Sequence, residues 1–252
     1  MTAPIRDPLR LYACDIVAGF GLLTRIPVPF TAPRPEGVWA WPLVGLVTTG
    51  LALAVGAGLQ AAGVSVGVAA AAVIALQAAL TGGLHEDGLA DCADGFWGGH
   101  DKARRLEIMK DSRIGSYGGI ALTLALLMRW SALAALMSAG AWGLALAPAL
   151  LSRAAMGLVM AALPNARAGG LSAGHGRPPL PQALAGSALA LALGLIVAGW
   201  AVLALALVAG IMVAALAMVA RAKIGGQTGD VLGAAQVIAE IAALAAATSF
   251  LK

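Results

Sequence analysis

The sequence predicts an all-α, polytopic membrane bundle of about seven transmembrane helices, with an additional interfacial or re-entrant helix near the N-terminus. Three observations predict it. Apolar types make up 60% of the 252 residues and charged types only 11%, against roughly 45–50% and about 25% in ordinary globular domains. The mean hydropathy is +0.89, and 16 basic with 12 acidic side chains are too few to cover a soluble globule of this length. Apolar stretches of spanning length also recur along the whole chain, and residues 1–252 are expected to form a single integral membrane domain.

Taken in order, the first apolar segment, 12–27, is interrupted by Asp15 and Arg25 and stopped by Pro27 and Pro29. It reads as an amphipathic helix or a buried half-span. Spans are then expected at 38–60, 63–83, 117–138, 139–160, 184–201, 203–220 and 231–250, each near the roughly 20 residues that a helix needs to cross hydrocarbon. Residues 1–15 contain Asp7, Arg10 and Asp15 without a sustained apolar core, so no signal peptide is expected. Cys14 and Cys92 set up neither a disulfide framework nor a CxxC metal motif.

Charge placement provides a check that the span assignment did not use. If the spans alternate across the bilayer, the N-terminal segment and the loops 84–116, 164–182 and 221–230 share one side. They hold Arg6, Arg10, Arg25, Arg34, Lys102, Arg104, Arg105, Lys110, Arg113, Arg167, Arg177, Arg221 and Lys223, which is thirteen of the sixteen basic residues. The positive-inside rule makes that face cytoplasmic. A net charge of +4 is too sparse for the basic surface that nucleic acid requires, so no nucleic-acid partner is expected. Arg129 and Arg153 are exceptions within apolar sequence, and each either snorkels or faces a polar cavity.

The chemistry-bearing residues are concentrated. Seven of the twelve acidic residues lie between Glu86 and Asp111. Asp87, Asp91 and Asp94 follow an i, i+4, i+7 spacing, which puts three carboxylates on one helix face, and Glu86 points elsewhere. Stacked like charges repel unless a divalent cation is present, and carboxylates working with substrate phosphates are a usual Mg²⁺ arrangement. A solvated connection between spans is the plainer alternative, although Gly88 and Gly95 suit a simple exposed helix poorly. His85 is either a ligand, a proton-transfer group or a hydrogen-bonded structural histidine. Lys110, Asp111 and Arg113 precede a span and could set cations beside the carboxylates; Arg104 and Arg105 fit a positive-inside flank as well. Two glycine-rich loops fall on the same face: Asn165 to Ser172, followed by His175, and Lys223 to Asp230, leading into the span that carries Glu240. Neither is a Walker A loop or a dinucleotide fingerprint.

These blocks together resemble the cobalamin synthase family, the adenosylcobinamide-GDP ribazoletransferases. The resemblance runs nearly end to end: Phe20 with Leu22 to Pro27, Trp41 to Gly45, Gly83 to Asp91 continuing to Asp94 and Gly95, Arg105 to Gly115, Ser152 and Arg153, Ala166 to Leu171, and Gly225 to Ala234. It implies a Mg²⁺-dependent, multi-pass enzyme of the bacterial inner membrane that joins adenosylcobinamide-GDP to alpha-ribazole or its 5′-phosphate, releasing GMP. On that reading Asp87, Asp91, Asp94 and Asp230 are expected to hold Mg²⁺. Lys110, Arg113, Arg153, Arg105, Arg167, Gly225 and Gly226 are expected at the phosphates. Asp94 is the expected proton acceptor, with His85 as the alternative and Asp91 as a further catalytic carboxylate. The lipid bilayer, neighbouring corrinoid-pathway enzymes and a second copy in a homodimer are the other expected partners. A phospholipid-type alcohol phosphotransferase and a membrane transporter are the competing readings.

Overall fold

The computed structural model describes residues 8–251; Arg6, counted above among the one-sided basic residues, lies outside them. The described residues form helices α1 (Pro8–Leu23), α2 (Trp41–Ala61), α3 (Val66–Thr81), α4 (Leu84–Gly98), α5 (Lys102–Ile108), α6 (Ser116–Ser138), α7 (Trp142–Ala162), α8 (Leu171–His175), α9 (Leu180–Ala198), α10 (Ala201–Ile224) and α11 (Gly229–Thr248). A 3-10 turn, Pro35–Ala40, leads into α2. No strand occurs among the described residues, and a single parallel bridge joins Asn165 to Gln227.

Among the described residues, six helical segments are long and apolar enough to cross a membrane, the turn with α2, α6, α7, α9, α10 and α11, and the bent pair α3 and α4 makes a seventh if it counts as one span. The multi-span helical bundle expected from composition is therefore present. The central helix is α7, whose sides are covered by α2, α9, α10 and α11, whereas α9 and α10 expose most of their apolar surface outward. Association of such helices depends on close packing, because lipid is as apolar as the helices themselves. Two approaches show it. A Cβ on Gly45 of α2 would lie 2.3 Å from the Ala149 carbonyl oxygen of α7, and one on Gly143 of α7 would lie 1.7 Å from the Val197 carbonyl oxygen of α9.

Two expected segments differ. The second span is a 16-residue helix, α3, about 24 Å long at 1.5 Å per residue and so short of a roughly 30 Å hydrocarbon core. The chain then turns by 89° into α4. The turn is made by Gly82 and Gly83, both with positive φ (+68° and +69°), a conformation that costs glycine little and other residues more. The region 84–116, expected as a loop, holds α4 and α5, with α4 packed on α11 and α6. The first segment is the helix α1, which ends before the prolines. Thr24 Oγ1 donates to the Phe20 carbonyl and accepts from the Ile26 amide, and the Arg25 amide pairs with the Leu80 carbonyl. Its buried Asp15 takes a bidentate pair from Arg34 and a bond from Trp39 Nε1, which pins the chain entering α2.

Candidate active site

The site is built where the first turns of α4 and α11 meet. A Cβ on Gly88 would lie 2.7 Å from the Asp230 carbonyl oxygen, and one on Gly233 would lie 3.2 Å from His85 Cα. Only glycine permits these backbones to approach so closely. Thr228 caps α11, its hydroxyl accepting from the Val231 amide at 3.3 Å and donating to Asp230 Oδ2 at 3.0 Å. The 165–175 segment is fastened alongside. The Ala166 amide donates to the Gln227 carbonyl and the Gln227 amide to the Pro164 carbonyl, both at 2.8 Å, and Ser172 Oγ donates to Gln227 Oε1 at 2.6 Å.

Between these elements lies a cleft of about 310 Å³ whose lining includes His85, Asp87, Asp230, Arg167, Trp41 and His175. It gathers residues from sequence positions 22 to 233, so the segments placed on one face by charge counting do converge in space. Asp87 is exposed at the cleft, while Asp91 is half-buried behind it, within electrostatic reach of Asp87, Asp230 and Asp94, with Arg167 the opposing cation. Arg167 Nη2 sits 3.2 Å from Asp230 Oδ2, and its Nη1 is buried without a partner. His85 Nε2 and both ring nitrogens of His175 are also buried and unpartnered. Burial pushes the His175 imidazole below its ordinary pKa, with Glu36 opposing, so it is neutral near pH 7. Two helix N-termini open on this cleft and add the positive end of the backbone dipole to it.

The other expected residues lie elsewhere. Asp94 is buried and turned to α6, accepting from the Gly115 amide at 2.7 Å and the Gly118 amide at 2.9 Å. Asp87 and Asp94 are seven positions apart, about 10 Å along the helix axis, so a shared face does not mean a shared neighbour: the stripe meets α11 at one end and α6 at the other. Arg153 is buried against Glu240 (2.8 Å) and Ser152 (3.1 Å). Arg105 donates to the carbonyls of Gly99, His100 and Lys223, tying α5 to the end of α10. Arg113 is exposed and chelates Asp111, whose pKa this holds down at about 2. Lys110 is exposed and outside the cleft. Gly226 is pressed on the Pro164 carbonyl, where a Cβ would lie 2.0 Å from oxygen, and Gly225 makes the left-handed turn that ends α10. Among the described residues, no three His, Cys, Asp or Glu side chains converge as a metal cage.

Sequence reasoning missed a buried charge network beneath the cleft. Arg129 donates to Glu86 (2.7 Å), Gln77 (3.0 Å) and Glu240 (3.2 Å), and Gln236 bonds both Ser152 and Glu240. The available signal was the helix phase that separates Glu86 from Asp87, together with the intramembrane Arg129, Arg153 and Glu240. What was lacking was the knowledge of which helices face one another. The aromatic and imidazole part of the lining, Trp41 and His175, had no spacing to announce it.

These features define a multi-span helical membrane protein with a mixed-charge cleft where α4 meets α11. The comparisons with known proteins are more specific. The model of the family described as Cobalamin-5-phosphate synthase matches residues 15–248, and the chain belongs to that family. It is 43% identical over 240 residues to an adenosylcobinamide-GDP ribazoletransferase of Mesorhizobium japonicum, covering 93% of this chain and 92% of that protein. It is 44% identical over 246 residues to one of Azorhizobium caulinodans, covering 91% and 93%. It is 41% identical over 255 residues to one of Bradyrhizobium diazoefficiens, covering 98% of each. No solved structure matches.

Proposed function

We propose that this chain is an adenosylcobinamide-GDP ribazoletransferase whose reaction takes place in the cleft between α4 and α11. A ribose hydroxyl oxygen of alpha-ribazole, one that stays free when the 5′ position carries phosphate, bonds to the phosphorus nearer the cobinamide. The bond from that phosphorus to the bridging oxygen breaks, GMP departs with the electron pair, and the hydroxyl proton passes to the protein. Such a transfer needs positioning and charge neutralisation more than covalent catalysis.

The observation that carries the reading is the cleft itself, where Asp87, Asp230 and Arg167 join two helix N-termini in a chain of this family. Arg167 and the backbone amides of the first turns are the groups for phosphate oxygens. Asp91, whose carboxyl is pushed up to about 7 by burial and by the neighbouring Asp87 and Asp230, is the proton acceptor, in place of the α6-capping Asp94. His85, buried beside the Arg153 and Arg129 guanidiniums, is too weak a base and offers its unpartnered Nε2 as a neutral hydrogen-bonding group. Asp87 and Asp230, with Asp91 behind them, are the residues that would hold Mg²⁺. Like-charged carboxylates with a single arginine fit a cation completed by substrate phosphates. When bound, Mg²⁺ would neutralise charge on the diphosphate and on the departing GMP. The basic residues around the cleft support a cytoplasmic orientation in the bacterial inner membrane. The family match disfavours the phospholipid-type and transport readings.

The test is GMP release by purified protein given adenosylcobinamide-GDP, alpha-ribazole and Mg²⁺, with cobalamin formation followed in parallel. Equal amounts of the two products, both lost with chelator and in Asp87→Asn or Asp230→Asn, are expected. No turnover by folded wild-type protein would remove the transferase reading. Undiminished turnover in chelator would remove the Mg²⁺ proposal alone.

A further inference from the structure

The cleft lining has two chemically distinct parts, and the acidic part has just been assigned. The other is made by Trp41 at the start of α2, Met156 and Met160 near the end of α7, Leu22 and Leu23 at the end of α1, and His175. Trp41 and the His175 ring lie 5.6 Å apart between centroids at an angle of 50°. Flat aromatic and thioether surfaces of this kind favour a flat, polarisable guest. The His175 nitrogens are both buried and both unpartnered, yet imidazole nitrogens shut away from water normally have partners. A neutral imidazole offers one donor and one acceptor, which matches a hydroxyl or a pair of hydroxyls on a ligand.

Size decides which reactant this part can take. At about 310 Å³ the cleft is at the small end of the roughly 300–1,000 Å³ typical of small-molecule sites. A corrin macrocycle with its side chains does not fit such a space and must stay at the mouth. A riboside of a flat bicyclic base does fit. We propose that the Trp41–Met156–Met160 surface seats the aromatic base of the nucleoside acceptor and that His175 hydrogen-bonds its ribose. The inference rests on the transferase reading and adds the placement of its substrates: acceptor inside, corrinoid outside, with the diphosphate between them at Asp87, Asp230 and Arg167. Specificity for the base then resides in α2 and α7, on different elements from the phosphate chemistry.

Steady-state kinetics with both substrates varied tests it. Trp41→Ala removes a stacking surface and His175→Ala a hydrogen-bonding group, so each should raise KM for alpha-ribazole by about tenfold and leave KM for adenosylcobinamide-GDP within about twofold. His175→Gln, which retains a donor and an acceptor, should recover part of the loss. Trp41→Ala should also lose the preference of the wild type for alpha-ribazole over a riboside with a single-ring base. Thermal unfolding checks that each variant is folded, and Trp41→Phe with His175→Gln carries the test if the alanine variants are not. A rise in KM for adenosylcobinamide-GDP instead would overturn the placement, as would kcat falling alone with both KM values unchanged. Wild-type protein that binds alpha-ribazole in calorimetry without turning over would count against the transferase reading, while binding weakened in His175→Ala and Trp41→Ala and partly recovered in His175→Gln and Trp41→Phe would still support the seat.

Discussion

Replacing Glu240 by glutamine probes the charge network under the cleft. Glu240 is 2% exposed. Its Oε1 accepts from Arg129 at 3.2 Å and its Oε2 from Arg153 at 2.8 Å, and Glu86 takes a second bond from Arg129. Two guanidiniums thus face two carboxylates, and the cluster is neutral. Glutamine keeps the volume but removes one negative charge, leaving a net positive charge among groups shut away from water. Removing one partner of a buried pair costs about 3–5 kcal/mol. At about 2–4 °C per kcal/mol for a chain of this size, the melting midpoint should fall by roughly 6–20 °C. Thermal unfolding of the protein in detergent or nanodiscs measures this. Arg153→Met combined with Glu240→Gln restores neutrality and should melt well above Glu240→Gln alone, as buried ion pairs replaced by apolar groups often do. A single variant within about 2 °C of wild type, or a double variant no more stable than the single one, would refute the reasoning.

Asp94→Ala deletes a helix cap, so it should lower stability by about 0.5–2 kcal/mol while Mn²⁺ binding, read by paramagnetic resonance, persists; loss of the Mn²⁺ signal in folded protein would return Asp94 to the metal set. Gly88→Ala places a Cβ 2.7 Å from the Asp230 carbonyl oxygen and 3.1 Å from its Cα, backbone that cannot swing aside, so α4 must shift from α11. GMP release should fall by about a hundredfold, as for a small misplacement of reacting groups, and unchanged turnover would argue against the close approach. Asp111, held at about 2 by hydrogen bonds from Arg113, has a depressed pKa, so any stability it contributes is present above its unfolded value of about 4 and lost as pH falls toward 2. The melting midpoint of Asp111→Asn should therefore lie slightly below wild type near neutral pH, the effect being small because the pair is exposed, and the gap should close as pH falls toward 2.

The membrane class, the helical content and the one-sided clustering of functional segments were legible from the sequence because they depend on hydropathy run length and charge position. Both are properties of the chain taken in order. Local spacing was equally reliable about faces: Glu86 and Asp87 do point to different surroundings, one to Arg129 and the other to the cleft. Neighbours were another matter. Asp94 shares a stripe with Asp87, but α4 crosses α11 and then α6, so the same stripe serves a cleft at one end and a helix cap at the other. Arg153 reads as a free intramembrane cation until α11 brings Glu240 against it. Gly225 and Gly226 read as an anion loop, yet Gly226 is spent on the Pro164 carbonyl. Trp41 and His175, 134 positions apart, become neighbours only when α8 folds over the start of α2. Periodicity records the direction in which a side chain leaves its helix; what it meets there depends on the packing of several helices at once, which no local pattern encodes.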